Sequence, residues 1–208
     1  MAKKIGGPPS EPSASDKIAA GESQPVIVVG VGASAGGLEA FTELLSNLPG
    51  DTGMAFVLIQ HLDPKHQSHL AELLAKVSKM PVSEVKTETR IDANHVYVIA
   101  PDCNLGIFEG VLEMSARPES GRNMPVDAFF RSLAEDRGGN ALAVVLSGSG
   151  LDGTLGLREI KEAGGITFAQ ELRTAKFGAM PNPSMFWGVE RELCGVFCEP
   201  LCQQKTML

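Results

Sequence analysis

The sequence of 208 residues predicts an α/β fold: a doubly wound, mainly parallel sheet with helices on both faces and an antiparallel hairpin at one edge. Continuous apolar runs rich in β-branched residues indicate strands that are buried on both faces. These runs alternate with segments of helical periodicity, and this β-α-β-α order implies parallel strands joined by right-handed crossovers. The chain length favours a single domain.

The first predicted strand and helix follow a leader of low complexity. Residues 1–24 are rich in Pro, Ser, Gly and Ala without apolar periodicity, which predicts a disordered leader or linker ahead of a domain at 25–208. The run at 26–31 predicts a buried strand. Apolar residues at helical spacing from 38 to 48 predict a helix, which Pro49 ends.

The middle of the chain repeats this strand–helix unit and then continues with successive strands. Residues 54–60 predict a second buried strand, and residues 70–77 predict a helix after it. A strand at 96–100 precedes two short strands within 105–114, where Glu109-Gly110 supplies a turn. These two strands predict a hairpin, which we expect at an edge of the sheet.

The remaining predicted elements include one helix and the last strands. The helix from Pro125 to about residue 135 has one apolar face, and proline suits a first helical position. The run at 141–146 predicts another buried strand. A glycine-rich turn, a helix at 155–160 and a strand at 165–169 follow it, whereas the sequence does not define the elements of residues 182–208.

Composition and charge argue against several classes of function. A formal net charge of −7 without a cluster of Lys and Arg argues against nucleic-acid binding. No apolar run approaches the roughly 18 residues of a membrane helix, and the start lacks the apolar core of a secretion signal. We therefore expect a cytoplasmic protein without membrane insertion. Cys194, Cys198 and Cys202 are spaced four apart, unlike the usual zinc-site pairs, so we predict free thiols and no metal.

Three of the hydrophobic runs end at residues of a hydrolase triad, namely Ser34, His61 and Asp152. Because the carboxyl ends of parallel strands meet at one edge of a sheet, a nucleophile, a base and an orienting carboxylate could meet there. Taken singly, each residue has a structural alternative. Ser34 could cap a helix, His61 could be a structural histidine, and Asp152 could belong to a turn.

The glycines around Ser34 leave a second chemical alternative, a phosphate cradle at the start of a helix. The dinucleotide fingerprint G-x-G-x-x-G is displaced by one position here, and the second strand ends in Gln60-His61 instead of an acidic residue. The triad is the best single account of the three segments together.

These segments resemble, in order, the signature segments of a known family, the catalytic domain of bacterial chemotaxis protein-glutamate methylesterases of the CheB type. The resemblance covers about residues 26–181. It is carried by Gly-Ala-Ser-Ala-Gly-Gly at 32–37 and by the segments at 60–61, 97–101, 125–127, 146–153 and 177–181.

The resemblance implies the same doubly wound sheet and a serine-hydrolase mechanism without metal or cofactor. It assigns Ser34 as nucleophile, His61 as general base and Asp152 as orienting acid, with backbone N–H groups of Ala35 and Ser149 as the oxyanion hole. The implied substrate is the γ-methyl ester of glutamate on methyl-accepting chemotaxis receptors, with release of methanol. Deamidation of glutamine is a related activity.

The sequence also departs from the family pattern. Ser149 stands where the family carries Met, and the family's phospho-receiver domain is replaced by the short leader, which leaves regulation open. Residues 182–208 lack the small-residue helix and the strand that usually close the sheet. These departures keep one alternative, a catalytically weak scaffold domain with other domains of a larger signalling protein as partners. The glycine turn keeps another, a nucleotide-binding α/β domain, which the displaced glycine and the missing acidic residue disfavour.

Overall fold

A parallel sheet forms the centre of the domain, which confirms the predicted fold class. The computed structural model describes residues 25–61, 69–118, 122–182 and 191–193. The strands in this part of the chain are β1 (Ile27–Ala33), β2 (Met54–Gln60), β3 (Val82–Glu84), β4 (Thr89–Arg90), β5 (His95–Val98), β6 (Cys103–Phe108), β7 (Val111–Ala116), β8 (Ala141–Val145), β9 (Ile166–Gln170) and β10 (Arg191–Leu193). Seven of them form the main sheet in the order β10-β9-β8-β1-β2-β5-β3, with parallel pairing throughout.

The sheet order brings the carboxyl ends of β1, β2 and β8 together. β1 pairs with β2 over the whole length of both strands, so that Ala33 lies opposite Gln60. β8 pairs with the other side of β1, with Gly32 opposite Val145. Because the chain winds first to one side of β1 and later returns on its other side, β1 adjoins a topological switch point. Ligand sites of open α/β sheets lie at the carboxyl ends of strands beside such a point.

Helices cover both faces of the sheet, as predicted. They are α1 (Gly37–Asn47), α2 (Leu70–Ala75), α3 (Pro125–Arg137) and α4 (Thr154–Glu162). Phe41 of α1 shares a buried apolar cluster with Phe56 of β2. Phe129 of α3 and Ile160 of α4 share a second cluster with Val57 of β2. Since Phe56 and Val57 are successive strand residues, they point to opposite faces. In the part of the chain that the structure describes, no helix is long and apolar enough to span a membrane.

The hairpin is present, but the structure corrects its predicted position. β6 and β7 pair antiparallel, and with β4 they form a separate three-stranded sheet instead of an edge of the main sheet. Leu105 and Ile107 point inward from β6 and are buried in the same cluster as Phe129 of α3. The Ile107 N–H also donates to Ser132 Oγ of α3 at 3.1 Å. The hairpin therefore packs over α3, and β3 occupies one edge of the main sheet.

Three short strands were not predicted from the sequence. β3 pairs with β5 at one edge, β10 pairs with β9 at the opposite edge, and β4 belongs to the small sheet. Strands of two or three residues are too short to show a periodic pattern. The predicted leader at 1–24 lies outside the described residues, as does most of 182–208.

Candidate active site

Ser34 lies in the turn between β1 and α1, directly after the last residue of β1. The residue that precedes the first turn of α1 is Gly36, which has φ 73°, and no side chain caps this helix. Ser34 is therefore not its N-cap residue. A Cβ atom at Gly36 would lie 2.8 Å from Ser147 Oγ and 3.2 Å from Phe177 Cδ2. Glycine is thus required both by the left-handed backbone and by the close packing of the turn.

This packing bears on the phosphate-cradle alternative. Lys176 and Phe177 pack against the glycine turn, because each has an atom 3.2 Å from the position of a Cβ at Gly36. A dinucleotide site would also need an acidic residue at the end of β2. That position holds Gln60, whose amide donates to the Ser34 carbonyl at 3.4 Å. The turn is thus held by contacts with Lys176, Phe177 and Gln60.

The segment after β8 fixes the backbone of Ser34. The Ser34 N–H donates to the Ser147 carbonyl at 3.1 Å, and Ser147 Oγ donates to the Ala35 carbonyl at 2.9 Å. Ser147 is itself held, since its N–H donates to the buried Gln170 side chain at 2.7 Å. A Cβ at Gly148 would lie 3.1 Å from Ser34 Cβ, so the segment after β8 runs directly beside the serine.

His61 and Asp152 form the second contact at this edge. His61 directly follows β2, and its Nε2 lies 3.1 Å from Oδ2 of Asp152. The His61 side chain is about one-third exposed, at 32%, whereas the Asp152 side chain is buried. With Nε2–H donating to the carboxylate, the other ring nitrogen, Nδ1, is free to accept a proton.

The N-terminus of α3 holds the Asp152 carboxylate. Val126 N–H donates to Oδ2 at 3.0 Å, and Asp127 N–H donates to Oδ1 at 2.9 Å. These N–H groups have no partner within the helix because they belong to its first turn. Pro125, at the first helical position, has no N–H to satisfy. The Asp152 side chain is thus fixed by two N–H donors at the start of α3.

The structure thus brings the three predicted triad residues to one edge of the sheet, with His61 and Asp152 in direct contact. No hydrogen bond joins the Ser34 hydroxyl to His61 among the described residues. Such bonds are often long in unliganded enzymes and shorten when substrate binds.

The two backbone N–H groups predicted for the oxyanion hole belong to the segments that the Ser34–Ser147 hydrogen bond joins, after β1 and after β8. In the described chain neither the Ala35 nor the Ser149 amide has a hydrogen-bond partner. Gly148, next to Ser149, is fixed because its N–H donates to the Phe177 carbonyl at 2.9 Å. The role of the Ala35 and Ser149 amides as an oxyanion hole stays a prediction.

A small cleft lies beside His61 and is mostly polar. Its lining comprises Gln60, His61, Ala100, Asp102, Cys103, Arg117, Asn123 and Pro125. Arg117 Nη1 lies 3.5 Å from Asp102 Oδ1, and the buried oxygens Gln60 Oε1 and Asn123 Oδ1 have no partner in the described chain. This polar lining lies next to the His61–Asp152 contact.

Asp127 is the residue that the sequence interpretation left without a role. It is buried, and its Oδ1 accepts the N–H of Gly156 in α4 at 2.8 Å. Burial raises the pKa of its carboxyl, and the charge of Asp152 raises this pKa further. An acidic residue directly after Pro-Val at a helix start is a capping signal, and this signal could have drawn attention to it.

The fold and its candidate site can be compared with known proteins. A mainly parallel sheet that gathers Ser, His and Asp at its carboxyl edge has the arrangement of an α/β serine hydrolase. The family model described as CheB methylesterase matches residues 29–194, and the chain belongs to this family.

Curated relatives and a solved structure support the same assignment. A protein-glutamate methylesterase/protein-glutamine glutaminase of Photorhabdus laumondii is 37% identical over 175 residues, which cover 81% of this chain and 49% of the relative. One from Burkholderia pseudomallei is 36% identical over 163 residues, covering 76% and 44%. The chain thus spans about half the length of the curated relatives it matches. The CheB methylesterase catalytic domain of Thermotoga maritima matches with a TM-score of 0.79 and 26% identity, over 86% of this chain and 98% of that one.

Proposed function

We propose that this chain hydrolyses γ-methyl esters of glutamate side chains on a protein, releasing methanol, and the corresponding amide of glutamine, releasing ammonia. The contact of His61 with a buried Asp152, at the edge that also carries Ser34, is the observation that carries this proposal. The names of the relatives supply the substrate class, since they are protein-glutamate methylesterases and protein-glutamine glutaminases.

The proposed first step is attack of Ser34 Oγ on the ester carbonyl. His61 Nδ1 takes the hydroxyl proton as the new C–O bond forms, and it returns the proton to the methoxide that leaves as methanol. A water molecule then attacks the acyl-enzyme, with His61 again as base, and releases glutamate. Asp152 holds the ring so that Nδ1 accepts the proton, and its charge stabilises the imidazolium.

The negative oxygen of the tetrahedral intermediate needs donors that are already in place. The backbone amides of Ala35 and Ser149 are proposed for this role, and one such donor contributes about 3–4 kcal/mol in comparable hydrolases. The donor at position 149 is a backbone N–H, so it is present whether the side chain is the Ser of this chain or the Met of the family pattern.

The surroundings of Ser34 suit a side chain that is presented by another protein. Ser34 is half-buried at an open edge, and three large apolar side chains near this edge are exposed to 41–53%. They are Leu151, Leu172 and Phe177. Exposed apolar groups around a reactive centre favour contact with a partner surface. Methyl-accepting chemotaxis receptors, in the cytoplasm, are the proposed partners.

Covalent labelling tests the proposal most directly. A serine-reactive phosphonate followed by peptide mass mapping should label Ser34, and Ser34→Ala should neither take the label nor release methanol from methylated receptor. The matched control is Ser46→Ala, which removes a hydroxyl from the exposed end of α1 and should retain wild-type activity. A folded wild-type protein that neither takes the label nor releases methanol would support the scaffold alternative instead.

A further inference from the structure

The N-termini of α3 and α4 lie against each other, and a carboxylate near the start of each helix accepts backbone N–H groups of the other. Asp152, just before α4, accepts N–H groups from the first turn of α3. Asp127, in the first turn of α3, accepts the N–H of Gly156 in the first turn of α4 at 2.8 Å. Each helix therefore satisfies free N–H groups of the other with a buried carboxylate.

This reciprocal contact depends on a close approach of the two helices. A Cβ at Gly156 would lie 2.5 Å from Phe130 Cβ in α3, and a Cβ at Gly153 would lie 2.9 Å from Val126 Cγ1. Gly153 also has φ 95°, which side chains other than glycine rarely adopt. Because Asp152 directly precedes Gly153, the position of the α4 start determines where the Asp152 carboxylate lies.

We infer that Asp127 is a positioning residue of the active site: it anchors the start of α4 through its carboxylate and holds Asp152 Oδ1 through its own N–H. This inference rests on the proposed function, because Asp152 matters only if it orients His61. Within the described residues, Asp127 makes no hydrogen bond or ion pair with Ser34 or His61, so its influence passes through Asp152.

Asp127 also brings a second negative charge close to the Asp152–His61 pair. Asp127 N–H donates to Asp152 Oδ1 at 2.9 Å, so the two residues are in direct contact. Burial raises the pKa of the Asp127 carboxyl, the Gly156 N–H lowers it, and the charge of Asp152 raises it further. By Coulomb attraction, a negative charge at Asp127 would favour the positive charge that develops on the His61 ring when it takes the serine proton. Of the other charged groups near the ring, Asp102 and Arg117 line the cleft, and both remain in every variant below.

Two variants separate the charge of Asp127 from its anchoring role. Asp127→Asn keeps an oxygen acceptor for the Gly156 N–H, so kcat should stay within a few-fold of the wild type. Because one negative charge is lost, the midpoint of the pH profile of kcat/KM should move down by about 0.5 unit. Asp127→Ala loses the anchor, and kcat should fall about 10–100-fold at every pH with KM little changed.

Glu135→Gln is the matched control, since it removes the same charge from the exposed far end of α3 and should leave kcat and the midpoint unchanged. All variants are compared at equal folded fraction from urea unfolding. The positioning role would be overturned if the midpoint of the kcat/KM pH profile were unchanged in Asp127→Asn, or if Asp127→Ala kept the wild-type kcat. Activity that persists in Ser34→Ala would instead contradict the proposed function itself.

Discussion

Replacement of Asp152 by Asn tests the central contact of the site. The carboxylate receives three donors: Val126 N–H and His61 Nε2 on Oδ2, and Asp127 N–H on Oδ1. Asn offers one oxygen and one NH2 group, which is itself a donor. In either amide orientation, at least one of the three donors therefore faces the NH2 group.

The loss of stability in Asp152→Asn follows from these three hydrogen bonds. If the oxygen stays at the Oδ2 position, the NH2 group opposes Asp127 N–H and leaves a buried donor unsatisfied, at about 1–3 kcal/mol. Loss of the negative charge at the start of α3 adds about 0.5–2 kcal/mol. We expect the free energy of unfolding to fall by about 2–4 kcal/mol. If the amide flips, its NH2 group opposes both Val126 and His61, and the ring loses its acceptor.

The effect on catalysis should exceed the effect on stability. The corresponding change in a serine protease lowers kcat about 10⁴-fold because the histidine takes the wrong tautomer. We expect methanol release by Asp152→Asn to fall about 10³–10⁴-fold while the protein remains folded. Urea unfolding and steady-state methanol release measure the two quantities. A folded Asp152→Asn variant with activity within tenfold of the wild type would refute the assignment of Asp152.

Three further predictions concern the scaffold around the site. Gly36→Ala should lower kcat strongly in a methanol-release assay, because it strains a residue with φ 73° and displaces Ser147 Oγ; wild-type kcat would contradict the described turn. Gly156→Ala should destabilise the fold by about 1–3 kcal/mol in urea unfolding, since its Cβ would lie 2.5 Å from Phe130 Cβ; an unchanged midpoint would show that the helices can separate without cost. Burial lowers the pKa of His95 from 6.5, so the folded state binds its proton less tightly than the unfolded state and stability falls as pH drops through about 6.5. Unfolding at pH 7.5 and 5.5 should show a smaller loss for His95→Gln than for the wild type, and equal losses would remove His95 as the cause.

The sequence predicted the long elements of the fold because their apolar patterns are continuous. Residues 54–60 form β2 with the expected bounds, and the helix predicted to start at Pro125 does so. The hairpin was predicted, but its packing against α3 was not. The alternating pattern of Leu105 and Ile107 shows that one face of the hairpin is buried, but it does not show which element covers that face. Tertiary packing on α3 decides that question.

The sequence predicted that Ser34, His61 and Asp152 would share one edge of the sheet. It did not predict the contacts that hold them there. Ser34, His61 and Asp152 each end a buried run, and parallel topology brings such ends together. The role of Asp127 depends on a contact between two helices that are separated by β8. No local pattern in a single sequence encodes that contact, so it became visible only in the structure.

The position of β1 between β2 and β8 has a consequence for how this protein folds. Pairing of Val28 with Ala141 closes a much longer loop of chain than pairing of Val29 with Phe56. Contacts between residues distant in sequence form slowly, because the entropy of closing the loop opposes them before they gain stability. Ser34 and His61 can thus approach each other early, whereas Asp152 joins them only after β8 has docked. Recovery of activity during refolding should therefore follow the closure of the whole sheet.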